Sequence, residues 1–497
     1  MSRCRTWVAG RREVLGATVG LAMAWTLGPA PSARASAGVR GRGRLGGSQR
    51  ADRLGGPTIQ IDPGFAYYHD RSPDSIADEL VQNGYVGVRY FVTNENNVDG
   101  DLVAALRARG LTVWALVLGN GSYSVDRFPE GWQDWQMELV TPVNDGYYRF
   151  SPHCAEYVAW KKRALATLVA TYPFDGIEIA EPYLPDWNGI DRGYYGDVGP
   201  HAQAAFVERY GREIPNFTDP SHPHYYRTDT ELYQLWVDFR VDAVNAFLDE
   251  VINGEGGVRA VNPDVLVATW SLAIDAGPDS VALEREYQGL DAPAMIATVQ
   301  PDVHILQTNW PDWVRPDLPA NYARAYQPFV DDIRAVHPDI PLGIQTDIGS
   351  QLAMARNRAW LEEFVATVES MGFATWTAYE YHIGGYMYDE APVPTQAIRL
   401  PDGAIRVSFD RRIDPESATR RSSFQVVLDG TRRRWVDPRY VSVDGNLVHI
   451  RQPGLPLDGF ELAVRNVTDD PRRWLYNKTA EPHQVPPGTS VRVPATA

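Results

Sequence analysis

From residue 57 the chain alternates short, continuously apolar runs with longer amphipathic ones. The short runs read as strands covered on both faces: Thr58–Ile61, Val86–Val92, Thr112–Leu118, Gly176–Ala180, Val265–Trp270, Val303–Thr308, Leu342–Thr346 and Ala374–Ala378. Between them lie helical stretches, among them Pro73–Asn83, Asp101–Arg109, Cys154–Tyr172, Glu231–Asn253, Tyr322–His337 and Ala355–Met371. Eight strands alternating with helices predict a (β/α)8 TIM barrel over residues 57–391. No glycine-rich dinucleotide or phosphate fingerprint follows the first strand, which weighs against an open doubly wound sheet.

Two strand-to-helix connections are long for a compact barrel, Gly119–Pro152 and Tyr183–Thr230, and both are aromatic, with Tyr123, Trp132, Trp135, Tyr147, Tyr148, Trp187, Tyr194 and Tyr195. Long structured loops on that side of a barrel are usually functional. After Pro392 helical periodicity stops. Short alternating runs follow, Ala404–Phe409, Ser423–Leu428, Arg439–Val443, Leu447–Arg451 and Glu461–Val467, punctuated by turns such as Asp429-Gly430 and Asp444-Gly445. Residues 392–497 are therefore expected to form an all-β sandwich. The stretch Ile405 to Ala418, with Phe424 and Leu457-Asp-Gly-Phe460, resembles the bacterial Ig-like modules appended to secreted glycosidases.

The first 37 residues stand apart from the fold. Arg11-Arg12 precedes an apolar run, Gly16 to Leu27, and then Ala35-Ser36-Ala37. That order reads as a twin-arginine signal peptide, and the run is short for a bilayer span. Residues 38–56, rich in glycine and arginine, read as a flexible leader. A mature chain beginning near Gly38 is expected to work outside the cytoplasmic membrane, without membrane insertion. Its formal charge would go from −16 to −20, which disfavours nucleic acid and anionic lipid and suits a neutral polysaccharide. Cys154 is then alone, so no intrachain disulfide can form.

Candidate chemistry gathers at the strand ends. The fourth strand runs into Glu181-Pro182-Tyr183, the seventh into Asp347, and the eighth reads Trp376-Thr-Ala-Tyr379-Glu380-Tyr381-His382. The carboxyl ends of barrel strands are where chemistry sits. Paired carboxylates among aromatic rings point to glycosidic bonds, since flat apolar rings match sugar faces. The acids at Glu181 and Asp347, with Arg89 on strand two and Trp376 on strand eight, resemble the large (β/α)8 glycoside hydrolase clan with catalytic acids on strands four and seven. Ala180-Glu181-Pro182 stands where that clan has Asn-Glu-Pro, and Thr346-Asp347-Ile348-Gly349 where it has Thr-Glu-x-Gly. The shorter aspartate leaves retaining or inverting stereochemistry open. A second resemblance, of Phe174-Asp-Gly-Ile-Glu-Ile179 to chitinase-like barrels, is broken at Ala180.

The resemblance implies Glu181 as general acid/base and Asp347 as nucleophile or base, ionised if Arg89 lies near it, with Glu380 the reserve second carboxylate. Arg89, Glu178, Tyr183, Trp270, Trp310, Trp376 and Tyr379 are the candidate substrate-binding residues. Glu178 reads equally well as a buried acid paired with an arginine. The scattered His69, His304 and His382 show no metal-ligand spacing, and no Gly-x-Ser-x-Gly elbow occurs. No cofactor or metal is expected. The expected function is a secreted glycoside hydrolase acting on a polysaccharide or oligosaccharide; the alternative is a catalytically silent barrel that binds carbohydrate.

Overall fold

The computed structural model describes residues 53–496 except 188, 350, 380–384 and 429–431. The predicted signal peptide, most of the leader, Glu380, Tyr381 and His382 lie outside the described residues. Eight parallel strands close a barrel: β1 Gly56–Ile61, β2 Gly87–Val92, β3 Thr112–Leu118, β4 Gly176–Ala180, β5 Leu266–Ala273, β6 Val303–Thr308, β7 Leu342–Asp347 and β8 Thr375–Tyr379. Each pairs with its sequence neighbours, and β8 closes on β1. This is a TIM barrel, with helices around it.

Continuous apolar runs become these strands because both faces are covered: every residue of β2 and β5 is buried. Side-chain caps start the helices. Ser72 accepts from Ser75 N ahead of Pro73–Gln82, Asp99 from Leu102 N ahead of Gly100–Ala108, and Asp229 from Leu232 N ahead of Thr230–Ile252. At the amino ends of the strands Asp175 accepts from Arg53, Arg107 and Val113 N, tying the approach to β1 against β3 and β4. The barrel interior is partly polar. Gln345 donates to Gln60 across β7 and β1 at 2.7 Å, and Thr58 bonds Thr377 at 2.7 Å.

Beyond the barrel, two four-stranded antiparallel sheets face each other. One orders β9 Pro394–Arg399, β10 Ile405–Phe409, β14 Leu447–Ile450 and β13 Val441–Asp444. The other orders β12 Arg432–Trp435, β11 Phe424–Leu428, β15 Phe460–Val464 and β16 Ser490–Val493. Their core is the alternating inward set that includes Ile405, Val407, Phe409, Phe424, Val426, Leu462 and Val464. Strands β9, β12 and β16 are additional to the expected ones.

Sandwich and barrel meet through a buried polar seam. Arg412 donates to the carbonyls of Tyr67 and His69, at 2.8 and 2.6 Å, fixing the loop after β1. Asn446 donates to Asp78 and to Phe409 O, both at 3.0 Å, and Asp444 accepts from Ser72 N at 2.7 Å. Separating the two halves would strand Arg412, Asp78 and Asp444 without these partners.

Candidate active site

Along β4 the side chains alternate, and Gly176, Glu178 and Ala180 face the barrel axis. Gly176 is there because a Cβ would lie 2.3 Å from the Trp114 ring of β3. Trp114 in turn carries the Arg89 guanidinium at 4.1 Å from its ring centre. Arg89 pairs with Glu178 at 3.1 Å, and both side chains are almost wholly buried. Burial pushes the Glu178 carboxyl up and the Arg89 guanidinium down, each opposed by its partner's charge. This places both residues beneath the barrel mouth. The expectation that Arg89 holds Asp347 ionised is corrected, because its charge is spent on Glu178; buried at 1% exposure, neither is open to substrate.

Glu181 follows directly, and its backbone is unusual. By alternation it would point outward, but its φ of +50° puts it in the left-handed region. A non-glycine residue there costs roughly 1–2 kcal/mol, so neighbouring contacts must hold it. They are present. Gly119 N donates to Ala180 O at 2.6 Å, Asn120 N to Glu181 O at 3.3 Å, and the Asn120 amide to Pro182 O. Gly119 is required for this approach, since a Cβ would lie 2.8 Å from Pro182 Cα.

The turned carboxylate meets Tyr147 from the long connection after β3. The Tyr147 hydroxyl donates to Glu181 Oε2 at 3.0 Å. Burial and the Glu181 charge push the phenol well above its ordinary value, keeping it a donor. Gly121 makes room: a Cβ there would lie 2.1 Å from Tyr147 Oη. Arg149 covers the Tyr147 ring at 5.0 Å and is held by Asp145 at 2.8 Å.

Asp347 ends β7. It faces the axis, paired in register with Tyr379 of β8, and its Oδ1 accepts from Gly349 N at 2.9 Å. It is buried, at 5% exposure. The cation whose field it shares is Arg356, which donates to Pro316 O and Arg315 O at 2.9 and 2.8 Å.

A further acidic group lies on the loop after β4. Asp186 pairs with Arg192 at 3.4 Å, and Arg192 lies over Tyr194 and Trp310 at 4.9 and 5.3 Å. Behind it Glu284 is buried; Asn309 donates to Glu284 at 3.1 Å and to Gln288 at 2.8 Å. Burial pushes Glu284 up to about 8, opposed by the Asn309 hydrogen bond and assisted by the Asp186 charge. A carboxyl held near that value is mostly protonated at neutral pH.

The aromatic expectations divide. Tyr183 is half-buried and stacks on Trp270 with centroids 6.1 Å apart, and Trp310 is half-buried at the start of the short helix Trp310–Trp313. Trp270 does not reach the mouth, because β5 continues three residues past it; it is fully buried and donates to Gln307 at 3.1 Å. Trp376 is also corrected: as the second residue of β8 it sits near that strand's amino end, against Tyr85 at 6.2 Å. Tyr379 is inward-facing and 7% exposed. Tyr147, Gly121, Asp186, Glu284 and Asn309 had no assigned role; the aromatic content of the long loop and the acid at the end of the Glu181–Asp186 run were the available signals. Among the described residues no group of three His, Cys, Asp or Glu could hold a metal ion, and no helix is long and apolar enough to cross a membrane.

No family model and no curated protein matches this chain. Solved structures do share similarity with it. The glycoside hydrolase domain of PgaB (BpsB) from Bordetella bronchiseptica is 15% identical, covering 66% of this chain and 94% of that one, with a TM-score of 0.49. A beta-galactosidase from Bacillus circulans sp. alkalophilus is 12% identical over 66% of this chain and 50% of its own, with a TM-score of 0.42. The glycoside hydrolase domain of PelA from Pseudomonas aeruginosa is 9% identical over 66% and 98%, with a TM-score of 0.38.

Proposed function

We propose that this protein is an exported glycoside hydrolase that cleaves a polysaccharide or oligosaccharide with two carboxyl groups, Glu181 and Asp347. The observation that carries the reading is the state of Glu181. A strained backbone, two close-approach glycines and a half-buried tyrosine are all committed to aiming one carboxyl group from the end of β4. Strain of this kind clusters at functional sites. Glu181 is the general acid/base: its proton goes to the glycosidic oxygen as the leaving group departs. Asp347, on the same rim three strands further round, is the nucleophile or the base that activates water, with the Arg356 charge acting on it. Tyr183 and Trp310, partly exposed beside this rim, supply sugar-facing rings.

A broad glycan panel tests the activity. The purified protein should release reducing ends from at least one glycan; no release from any, at micromolar protein, would refute the hydrolase reading. The silent carbohydrate-binding alternative predicts glycan binding without release. Export through the twin-arginine route is part of this proposal, and N-terminal sequencing of secreted material should begin near Gly38. An intact Met1 in the membrane fraction would overturn it.

A further inference from the structure

The charge of this chain is divided between its two halves. Residues 57–391 hold 21 Lys and Arg against 49 Asp and Glu, a formal −28. Residues 392–497 hold 16 against 12, a formal +4. A positive module on so acidic a protein is a local field of opposite sign, and the structure shows where it concentrates.

Strand β12 reads Arg432-Arg433-Arg434-Trp435, and all four residues are exposed. It is an edge strand, hydrogen-bonded to β11 on one side only. Trp435, 39% exposed, carries the Arg465 guanidinium 5.7 Å from its ring centre, and exposed Arg420 and Arg421 lead into β11 at the same end. Among the described residues no carboxylate forms an ion pair with Arg420, Arg421, Arg433, Arg434 or Arg465. Several other arginines of the sandwich are held by carboxylates, as Arg411 is by Asp410 and Arg472 by Asp470, or by backbone carbonyls, as Arg399 and Arg412 are.

Arginine on an edge strand also blocks strand pairing between copies. One or two charges serve that purpose. Arg433 and Trp435 share one face of β12, with Arg465 over the ring, and Arg434 projects from the other side of the same edge. This many arginines without an ion pair among the described residues exceed that need, and the tryptophan works against it by offering an apolar surface.

From this arrangement we infer that the β12 edge of the sandwich is a docking surface for an acidic polysaccharide, a glycan chain bearing carboxylates. Guanidinium groups match carboxylates with two parallel hydrogen bonds, and Trp435 offers a ring face to the sugar. The glycan is favoured over other polyanions by the rest of the molecule. A lipid surface or a stiff duplex would bring extended negative charge toward a barrel of −28, whereas a single flexible chain can follow the patch alone. The surface would hold the protein on its polymer independently of the barrel chemistry.

The test uses the full-length protein and polygalacturonate as probe, with neutral dextran, duplex DNA and anionic phospholipid vesicles as comparators. Polygalacturonate should bind at about 20 mM salt and weaken at least about tenfold by about 300 mM, because exposed charges are screened. The triple variant Arg433→Gln, Arg434→Gln, Arg465→Gln should bind about tenfold more weakly at low salt, with an unchanged melting temperature. Trp435→Ala should lose affinity severalfold even at high salt, where stacking remains. No binding at low salt, equal binding of dextran, an unaffected triple variant, or tighter binding of DNA or vesicles would each overturn the inference. Because binding is read and not turnover, failure of the hydrolase reading would leave this result intact.

Discussion

Replacing Gly121 by alanine should disable Glu181 without touching it. A Cβ at Gly121 would lie 2.1 Å from Tyr147 Oη, 2.2 Å from Cζ and 2.6 Å from Cε1. Ordinary contact is near 3.5–4.0 Å, so the ring must move by about 1 Å or more. Hydrogen bonds tolerate only a few tenths of an ångström, and the 3.0 Å bond to Glu181 would be lost. A hydrogen bond to a charged group is worth about 1.5–3 kcal/mol. If the bond aims the carboxyl group in the transition state, kcat/KM should fall roughly 10- to 150-fold. Tyr147→Phe removes the same bond without the clash and should fall by a similar factor. The double variant is the discriminating case. Because both changes act through one bond, their effects should not multiply. Rates would be measured on whichever glycan the panel identifies, with thermal melts to confirm folding; overpacking at Gly121 should cost about 1–3 kcal/mol of stability. A wild-type rate in Tyr147→Phe, or strictly multiplicative losses in the double variant, would refute the reasoning.

Three further outcomes are expected. Glu178→Gln should destabilise the fold by about 3–5 kcal/mol, read by denaturant unfolding, because Arg89 would be left charged and buried without its partner. Glu284 titrates at about 8 when folded, above its ordinary 4.5, so its contribution to stability is full below that ordinary value and is lost as pH rises to about 8. Melting across that range should show the slope in the parent protein and a clearly smaller one in Glu284→Gln. Arg412→Ala should leave the carbonyls of Tyr67 and His69 without their donor, and calorimetry should show one unfolding transition split into separate barrel and sandwich transitions.

The barrel was legible because its strands are buried on both faces and so carry unbroken apolar runs; β3, β4 and β6 begin and end where the pattern places them. Polar residues on the outer face defeated the reading elsewhere. Ser271 looks like the end of β5, yet it bonds His304 Nε2 at 2.9 Å and the strand continues, which draws Trp270 into the interior. Strand β12 was missed for the opposite reason, since a run of arginines reads as solvated loop until β11 is seen beside it. At the site, Glu181 and Asp347 could be singled out from strand ends, whereas Tyr147 could not. It lies 34 residues from Glu181, and only the fold of the long connection brings its hydroxyl to the carboxylate. The left-handed turn at Glu181 was equally hidden, because such turns usually take glycine or asparagine and nothing in Ala180-Glu181-Pro182 announces one.

The central claim is that Glu181 delivers a proton to the leaving group while Asp347 acts on the sugar. Turnover of two glycosides that differ only in their leaving group tests it most directly, one with a poor alcohol and one with an activated phenol. Glu181→Gln should lose on the order of 10²–10⁴ in rate on the poor leaving group and far less on the activated one, and Asp347→Asn should abolish both. Equal losses on both substrates in Glu181→Gln, or an active Asp347→Asn enzyme, would contradict the assignment.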